Sequence, residues 1–178
     1  TNGKTTCAQW IARGLAESGR KTAVIGTLGS GLVVANPQFT MLESFGLTTP
    51  DAISLQRMLA GFVAAGVEVV AMEASSIGIE QGRLDGARVD VAVFTNFSRD
   101  HLDYHGDEAT YLAEKLRLFS WPGLTAVVID GDDAVAPAVL DAVTPGVTTI
   151  AFGLQPGEHG WRANKKLSAW QVDEGAEP

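Results

Sequence analysis

Positions 1–6, TNGKTT, and the polar residues at 73, 95–101 and 115 are where residue type and spacing admit chemistry. A glycine-rich turn feeding a helix start aims several backbone N–H groups and the positive end of the helix dipole at one spot, which suits phosphate. There Lys4 would neutralise the outer phosphates and the Thr5 hydroxyl would ligate Mg²⁺. Taken alone, Gly3-Lys4-Thr5 is as compatible with a solvated helix start, because the full motif needs an upstream strand and glycine. VVAME ends on Glu73, and VAVFTN ends on Thr95 and Asn96 with Asp100 and His101 close behind. In an open parallel sheet, ligands gather beyond the carboxyl ends of the strands. A carboxylate and an imidazole at two such ends therefore read as metal ligands in preference to solvated termini.

Two further positions leave alternatives open. His101 and His105 stand i, i+4 in HLDYH, a separation that fits one zinc. The general-base Glu of the H-E-x-x-H pattern is missing and no cysteine is near, so Mg²⁺ is preferred and His105 reads as a loop histidine with an ordinary hydrogen bond. On a helix expected over 107–119, Leu112, Leu116 and Phe119 form the apolar stripe, with Tyr111 and Lys115 along its edge. Spacing alone makes Lys115 a lysine whose stem covers apolar surface.

The elements that must position these residues follow from periodicity and turn signals. Ala8, Ile11, Ala12 and Leu15 recur at helical spacing over 4–18, closed by Gly19, and KTAVIGT (21–27) reads as a buried strand. Glycines 26, 29 and 31 and Asn36-Pro37 mark a loop or hairpin before FTMLESFG (39–46). Pro50 and Asp51 open a helix to about Ala65 with Leu55, Met58, Leu59 and Phe62 on its apolar face. EVVAME (68–73) and DVAVFTN (90–96) are strands separated by the small and polar stretch ASSIGIEQGRLDG. Beyond the helix over 107–119 come strand LTAVVID (124–130), a helix over 132–142 and strand VTTIAF (147–152). Nearly continuous apolar strands alternating with helices predict the α/β class, a mostly parallel sheet flanked by helices.

Composition narrows the function. The 178 residues suit one well-cored domain and are short for two. A formal net charge of -8 argues against nucleic acid, whose backbone is gripped by clustered Lys and Arg. One cysteine, Cys7, excludes an internal disulfide framework and fits a reducing compartment. No apolar run reaches the length of a membrane span and no signal segment starts the chain, so a cytoplasmic protein without membrane insertion is expected. The first residues lie inside a turn and QVDEGAEP stops in a polar loop after an apparent strand, so a piece of a longer chain, cut at both ends, is expected.

TNGKTT, GLTTPD, MEASS, QGRLDG, TNFSRDHLDYHGD and the lysine of YLAEKLRLF stand in the order and spacing of the Mur ligases. The chain resembles the central, P-loop NTPase-like ATP-binding domain of this family, and within it the UDP-N-acetylmuramoyl-tripeptide synthetase type. The resemblance is specific from Thr1 to about Asp133 and rests on general pattern beyond it. It implies that ATP phosphorylates the D-Glu carboxylate of UDP-N-acetylmuramoyl-L-Ala-D-Glu. The amine of a diamino acid, diaminopimelate or L-lysine, then attacks the acyl phosphate in a cytoplasmic step of peptidoglycan synthesis. Such chemistry is mainly positioning and charge neutralisation, so the motifs are phosphate and metal binders with no nucleophile among them.

Carried over residue by residue, the resemblance makes Thr1, Asn2, Gly3, Lys4, Thr5 and Thr6 the ATP loop, with Asn96 beside the nucleotide. Thr5 and Glu73 would hold a first Mg²⁺, and His101 would ligate a second. Thr48, Thr49, Ser75, Gln81 and Arg83 would contact the UDP-sugar peptide, the planar fork of Arg83 suiting a carboxylate or phosphate. Lys115 matches the family's carbamylated lysine, in which a neutral amine captures CO₂ and becomes an anionic support for Mg²⁺; burial at the edge of the apolar stripe favours the neutral amine. Ile77 stands where the family commonly has histidine, and Leu47 where some members have asparagine. The resemblance further implies a monomeric full-length enzyme whose N-terminal domain holds the uridine end and whose C-terminal domain brings the amino acid, so that this segment alone is expected to be inactive. The alternatives are another Mur ligase, a folylpolyglutamate synthase-like ligase, or a module that binds ATP without turnover.

Overall fold

The computed structural model describes residues 2–34, 43–153 and the backbone of 167–171; Thr1, most of the 36–46 stretch and QVDEGAEP beyond Gln171 lie outside the described residues. The chain divides into two compact units, Gly3–Ala87 and a second made of Thr1–Asn2 with Arg88–Pro178.

In the first unit, α1 (Lys4–Glu17) runs into β1 (Thr22–Gly26), which turns back through Thr27 and Leu28 into β2 (Gly29–Val33). The glycine-rich stretch after β1 is thus a two-residue hairpin, with Gly26 opposite Gly29 and Gly29 at φ 117°. After α2 (Ala52–Ala64), β3 (Val69–Met72) lies parallel to β1 on the side away from β2, completing a β2-β1-β3 sheet. All five residues of β1 are buried, as its apolar run predicts for a central strand. Ala8 and Ala12 of α1 meet Val24 and Ala71 in a small core; alanines at i and i+4 bring the helix close to the sheet. Asp51 caps α2 by accepting the N–H groups of Ile53 and Ser54, and Leu55 is the side chain that helix buries completely.

The second unit is a wholly parallel sheet, β4-β5-β6-β7, formed by Val91–Phe94, Ala126–Asp130, Thr148–Gly153 and Leu167–Gln171. Between β4 and β5 lie α4 (Leu102–His105), α5 (Glu108–Leu116) and a 3-10 turn, Arg117–Ser120. Helix α6 (Ala136–Ala142) carries the chain from β5 to β6. Its core joins Ala92, Phe94, Val127 and Ile129 from the strands to Phe119, Ala136, Val139 and Val143.

The α/β class is therefore as expected, with five corrections to its detail. The strands form two sheets, one mixed and one parallel. The stretch after Glu73 contains a five-residue helix, α3 (Ser76–Glu80), because Ser75 accepts the Gly78 N–H and caps it. The helix expected over 107–119 is α5 followed by the 3-10 turn, and that over 132–142 starts only at Ala136, after a turn in which Asp133 accepts the N–H groups of Phe97 and Val135. Tyr111, expected at the edge of its helix, is instead the residue α5 buries, at 1% exposure, while Leu112 and Leu116 are half-buried.

Candidate functional site

The first unit assembles one polar cluster at the start of α1. Gly3 adopts φ 77°, a left-handed turn open to glycine at little cost, and offers no side chain to the first-turn N–H groups. Lys4 occupies the first helical position, Thr5 follows half-buried, and Thr6 is exposed. Glu73, just beyond β3, reaches this turn from a distant part of the chain: the Thr5 hydroxyl donates to its Oε2 at 2.9 Å. Glu73 is 3% exposed, so its charge needs donors, and Thr27 supplies them. The Thr27 N–H donates to Oε1 at 2.8 Å, and its hydroxyl lies 3.2 Å from Oε2.

Gly26 makes room for this carboxylate. A Cβ there would overlap Glu73 Oε1 and stand 2.8 Å from Cδ. Neither Gly26 nor Thr27 was identified as functional from sequence; the signal available was a Gly-Thr pair at the carboxyl end of a buried strand, the place where ligands gather.

Thr48, Thr49, Ser75, Gln81 and Arg83 are brought together in the same unit. Thr48 Oγ1 lies 3.1 Å from Thr27 Oγ1. Thr49 is fully buried; its hydroxyl donates to the Glu73 carbonyl at 3.0 Å, accepts the Ser75 N–H at 3.0 Å and lies 3.2 Å from Ser75 Oγ. Arg83 Nη1 donates to the Thr49 carbonyl at 2.8 Å, while Nε and Nη2 donate to Gln81 Oε1 at 3.0 and 2.6 Å. Thr49 and Ser75 thus act first as internal braces, and Arg83 is tethered to the Thr49 backbone and to Gln81 in its own turn. Gly78 packs so tightly on this brace that a Cβ would stand 2.8 Å from Thr49 Cβ. Leu47 is 44% exposed beside the two threonines, and Ile77 is half-buried on α3.

In the second unit, the Asn96 side chain clasps the backbone of Asn2: its Oδ1 accepts the Asn2 N–H at 2.8 Å and its Nδ2 donates to the Asn2 carbonyl at 2.7 Å. Thr95 Oγ1 donates to the same carbonyl at 3.0 Å. Asn96 therefore holds both backbone polar groups of Asn2.

His101 is the one non-glycine at positive φ among the described residues, φ 52°. Holding a β-carbon there costs about 1–3 kcal/mol and clusters at functional sites. The conformation lets its carbonyl accept the N–H groups of Tyr104 and His105, starting α4, while its ring remains exposed. The His101 N–H donates to Asp100 Oδ1 at 3.0 Å.

His105, expected in a loop, instead ends α4 and is 8% exposed, its ring 4.9 Å from Tyr104 and 5.3 Å from Tyr111. Tyr111 also faces His101 edge-on at 6.1 Å, and Lys115 Nζ lies 4.7 Å above its ring. The burial of His105 among rings separates it from the exposed His101 and disfavours the shared zinc.

The donor set tests the ions expected. A hydroxyl and a carboxylate oxygen at a helix start are hard ligands, and Mg²⁺ retains several waters and phosphate oxygens, taking only one or two protein groups. Among the described residues no three His, Cys, Asp or Glu side chains converge into a ready-made cage. Thr5 and Glu73 fit Mg²⁺ on these terms, and the cradle that a Gly26 Cβ would fill keeps the carboxylate aimed at the turn.

A left-handed glycine turn opening a helix, beside a parallel strand that ends on a carboxylate, defines an α/β domain of the phosphate-loop class. The chain belongs to the Mur ligase middle domain family, whose model matches residues 1–174. It is 52% identical over 97% of its length to a UDP-N-acetylmuramoyl-L-alanyl-D-glutamate–2,6-diaminopimelate ligase of Ralstonia nicotianae, covering 35% of that protein. A protein of the same name from Pseudomonas aeruginosa is 49% identical over 75% of this chain and 26% of its own. A solved structure of a ligase so named superposes with a TM-score of 0.79 at 35% identity, over 89% of this chain and 31% of the other. The chain thus spans between about a quarter and a third of the length of the curated relatives it matches.

Proposed function

We propose that this segment is the ATP-binding central domain of a longer ligase that adds a diamino acid to UDP-N-acetylmuramoyl-L-Ala-D-Glu. The uridine-binding and amino-acid-binding parts would lie outside it. The observation that carries the reading is the meeting of Thr5 and Glu73 at 2.9 Å on the turn set by Gly3. The names of the relatives favour diaminopimelate over L-lysine as the amine.

Bound ATP with Mg²⁺ would supply the phosphoryl group that activates the D-Glu carboxylate; the amine then displaces phosphate and the amide forms. The work of this chain is positioning and charge neutralisation. Thr1 to Thr6 cradle the phosphates, Lys4 offsets their charge, and Thr5 and Glu73 hold the first Mg²⁺. His101 ligates a second Mg²⁺, and Lys115, carbamylated by CO₂ with loss of a proton, supports it as an anion. Asn96 fixes the loop backbone at Asn2. Thr48, Thr49, Ser75, Gln81 and Arg83 form the side that receives the sugar peptide.

The family resemblance supports a monomeric cytoplasmic enzyme, the net charge of -8 speaks against nucleic acid, and no helix among the described residues is long and apolar enough to cross a membrane. In the complete polypeptide, phosphate should be released only when ATP, Mg²⁺, the UDP-sugar dipeptide and the diamino acid are all present. Release indifferent to the sugar dipeptide would contradict the assignment.

A further inference from the structure

Thr27 sits between two groups that the proposed function treats separately. Its hydroxyl is 3.2 Å from Glu73 Oε2 and 3.1 Å from Thr48 Oγ1, and its backbone N–H holds Glu73 Oε1 at 2.8 Å. A threonine hydroxyl has a single proton, so Thr27 can donate to Glu73 or to Thr48 but not to both at once. We propose that Thr27 is a positioning residue whose one hydroxyl proton couples metal loading at Glu73 to the readiness of Thr48 to bind substrate. The inference rests on reading Glu73 as a metal carboxylate and Thr48 as a sugar-peptide contact.

Geometry and acceptor strength give the direction. Without a cation, Glu73 Oε2 is the stronger, anionic acceptor and also receives the Thr5 hydroxyl. Thr27 then donates to Oε2, and its proton is withheld from Thr48. A divalent cation on the carboxylate neutralises that acceptor, and the Thr27 proton swings to Thr48. The Thr48 hydroxyl, its lone pair now satisfied from within, directs its own proton outward to an oxygen of the incoming sugar peptide. Linkage makes the effect reciprocal: bound sugar peptide tightens the metal. The Thr27 N–H keeps Glu73 in place throughout, so loss of the hydroxyl removes the coupling without removing the carboxylate. Thr27 is exposed in a hairpin turn, where an isosteric change leaves the core untouched.

The test is calorimetric and independent of turnover. The UDP-sugar dipeptide is titrated into the complete polypeptide saturated with ADP, once in EDTA and once in Mg²⁺. In the wild type, Mg²⁺ should tighten the dipeptide by about five-fold, the scale of one neutral hydrogen bond. Thr27→Val should bring that ratio close to one while still binding ADP with Mg²⁺, and Thr27→Ser should keep it. Thr48→Val, altered at the other end of the link, should lower the absolute affinity and also abolish the ratio. A wild-type ratio near one, or a Thr27→Val ratio equal to wild type, overturns the coupling and leaves the ligase assignment standing. Failure of the wild type to bind either ligand, or Glu73→Gln binding Mg²⁺ with ADP as well as wild type does, overturns the assignment and the Thr27 link with it.

Discussion

Lys115 Nζ lies 4.7 Å from the centroid of the Tyr111 ring, one helical turn earlier on α5, and that ring is almost wholly buried. A cation over a ring face is stabilised as a cation. The same ring packs at 5.3 Å against both Phe97 and His105, so one side chain supports the lysine and ties α4 and α5 to the segment after β4. Tyr111→Leu should cost about 2–4 kcal/mol in urea denaturation, as large losses of buried aromatic packing do. It should also raise occupancy of the carbamate proposed for Lys115 in ¹³CO₂-labelled NMR spectra, because an anionic carbamate would no longer be held against a ring face that suits a cation. An unchanged occupancy would show that the ring does not govern carbamylation of Lys115.

Gly26→Ala should displace Glu73. The new Cβ would fall on the carboxylate, pushing it off the Thr27 N–H and leaving a buried anion short of a donor. A loss of about 2–4 kcal/mol by denaturation, with at least ten-fold weaker Mg²⁺-dependent nucleotide binding, is expected. Glu73→Gln, which keeps the shape and loses the charge, should cost less stability while losing the same metal dependence.

Asn96→Ala should loosen the phosphate loop. Both backbone groups of Asn2 lose their partner on Asn96, and only the Thr95 hydroxyl still reaches the carbonyl. Two hydrogen bonds of this kind carry about 1–3 kcal/mol, so nucleotide affinity should fall about ten-fold, read by displacement of a fluorescent nucleotide. Stability should change much less, since Asn96 lies outside the core cluster.

Stability should respond to acid in two opposite ways. Asp51 and Asp107 titrate below the ordinary carboxylate value of 3.8: hydrogen bonds from the Ser54 side chain and N–H favour the Asp51 anion, and those from the Thr110 N–H and side chain favour that of Asp107. The stability from these two caps is present above 3.8 and is lost as pH falls through their lower folded values. Asp130 titrates above 3.8, first because burial disfavours its charge and then because Asp132 and Asp133 repel it. Above 3.8 the folded state holds a proton the unfolded chain has released, so this contribution falls as pH rises through the window. Asp130→Asn, which can still accept the Asp132 N–H, should flatten that decline and raise the urea midpoint at neutral pH. Asp51→Ala and Asp107→Ala should lower it.

Much of this was legible in the sequence because it is local. Gly19 closing a helix, Asp51 opening one and the apolar run of β1 each announce themselves within a few residues, and all three are found in place. The misreadings share a cause. Ser75 could be seen as polar, yet its role as the cap of α3 depends on the Gly78 N–H coming into range. Helical spacing sets Tyr111 at the edge of a stripe because it does not say which neighbours cover a helix; Phe97 and His105 do.

The candidate site residues Lys4, Thr5, Glu73, His101 and Lys115 could be picked out from type, spacing and family pattern, since strand ends and helix starts are written in short stretches of chain. What holds them could not. Thr5 and Glu73 are 68 positions apart and Asn2 and Asn96 are 94 apart, and no periodicity carries information over such distances. The grip of Thr27 on Glu73, the space left by Gly26 and the burial of Thr49 arise only when β3 pairs beside β1, because a hydrogen bond or a steric overlap exists only between groups the fold has brought within about 3 Å.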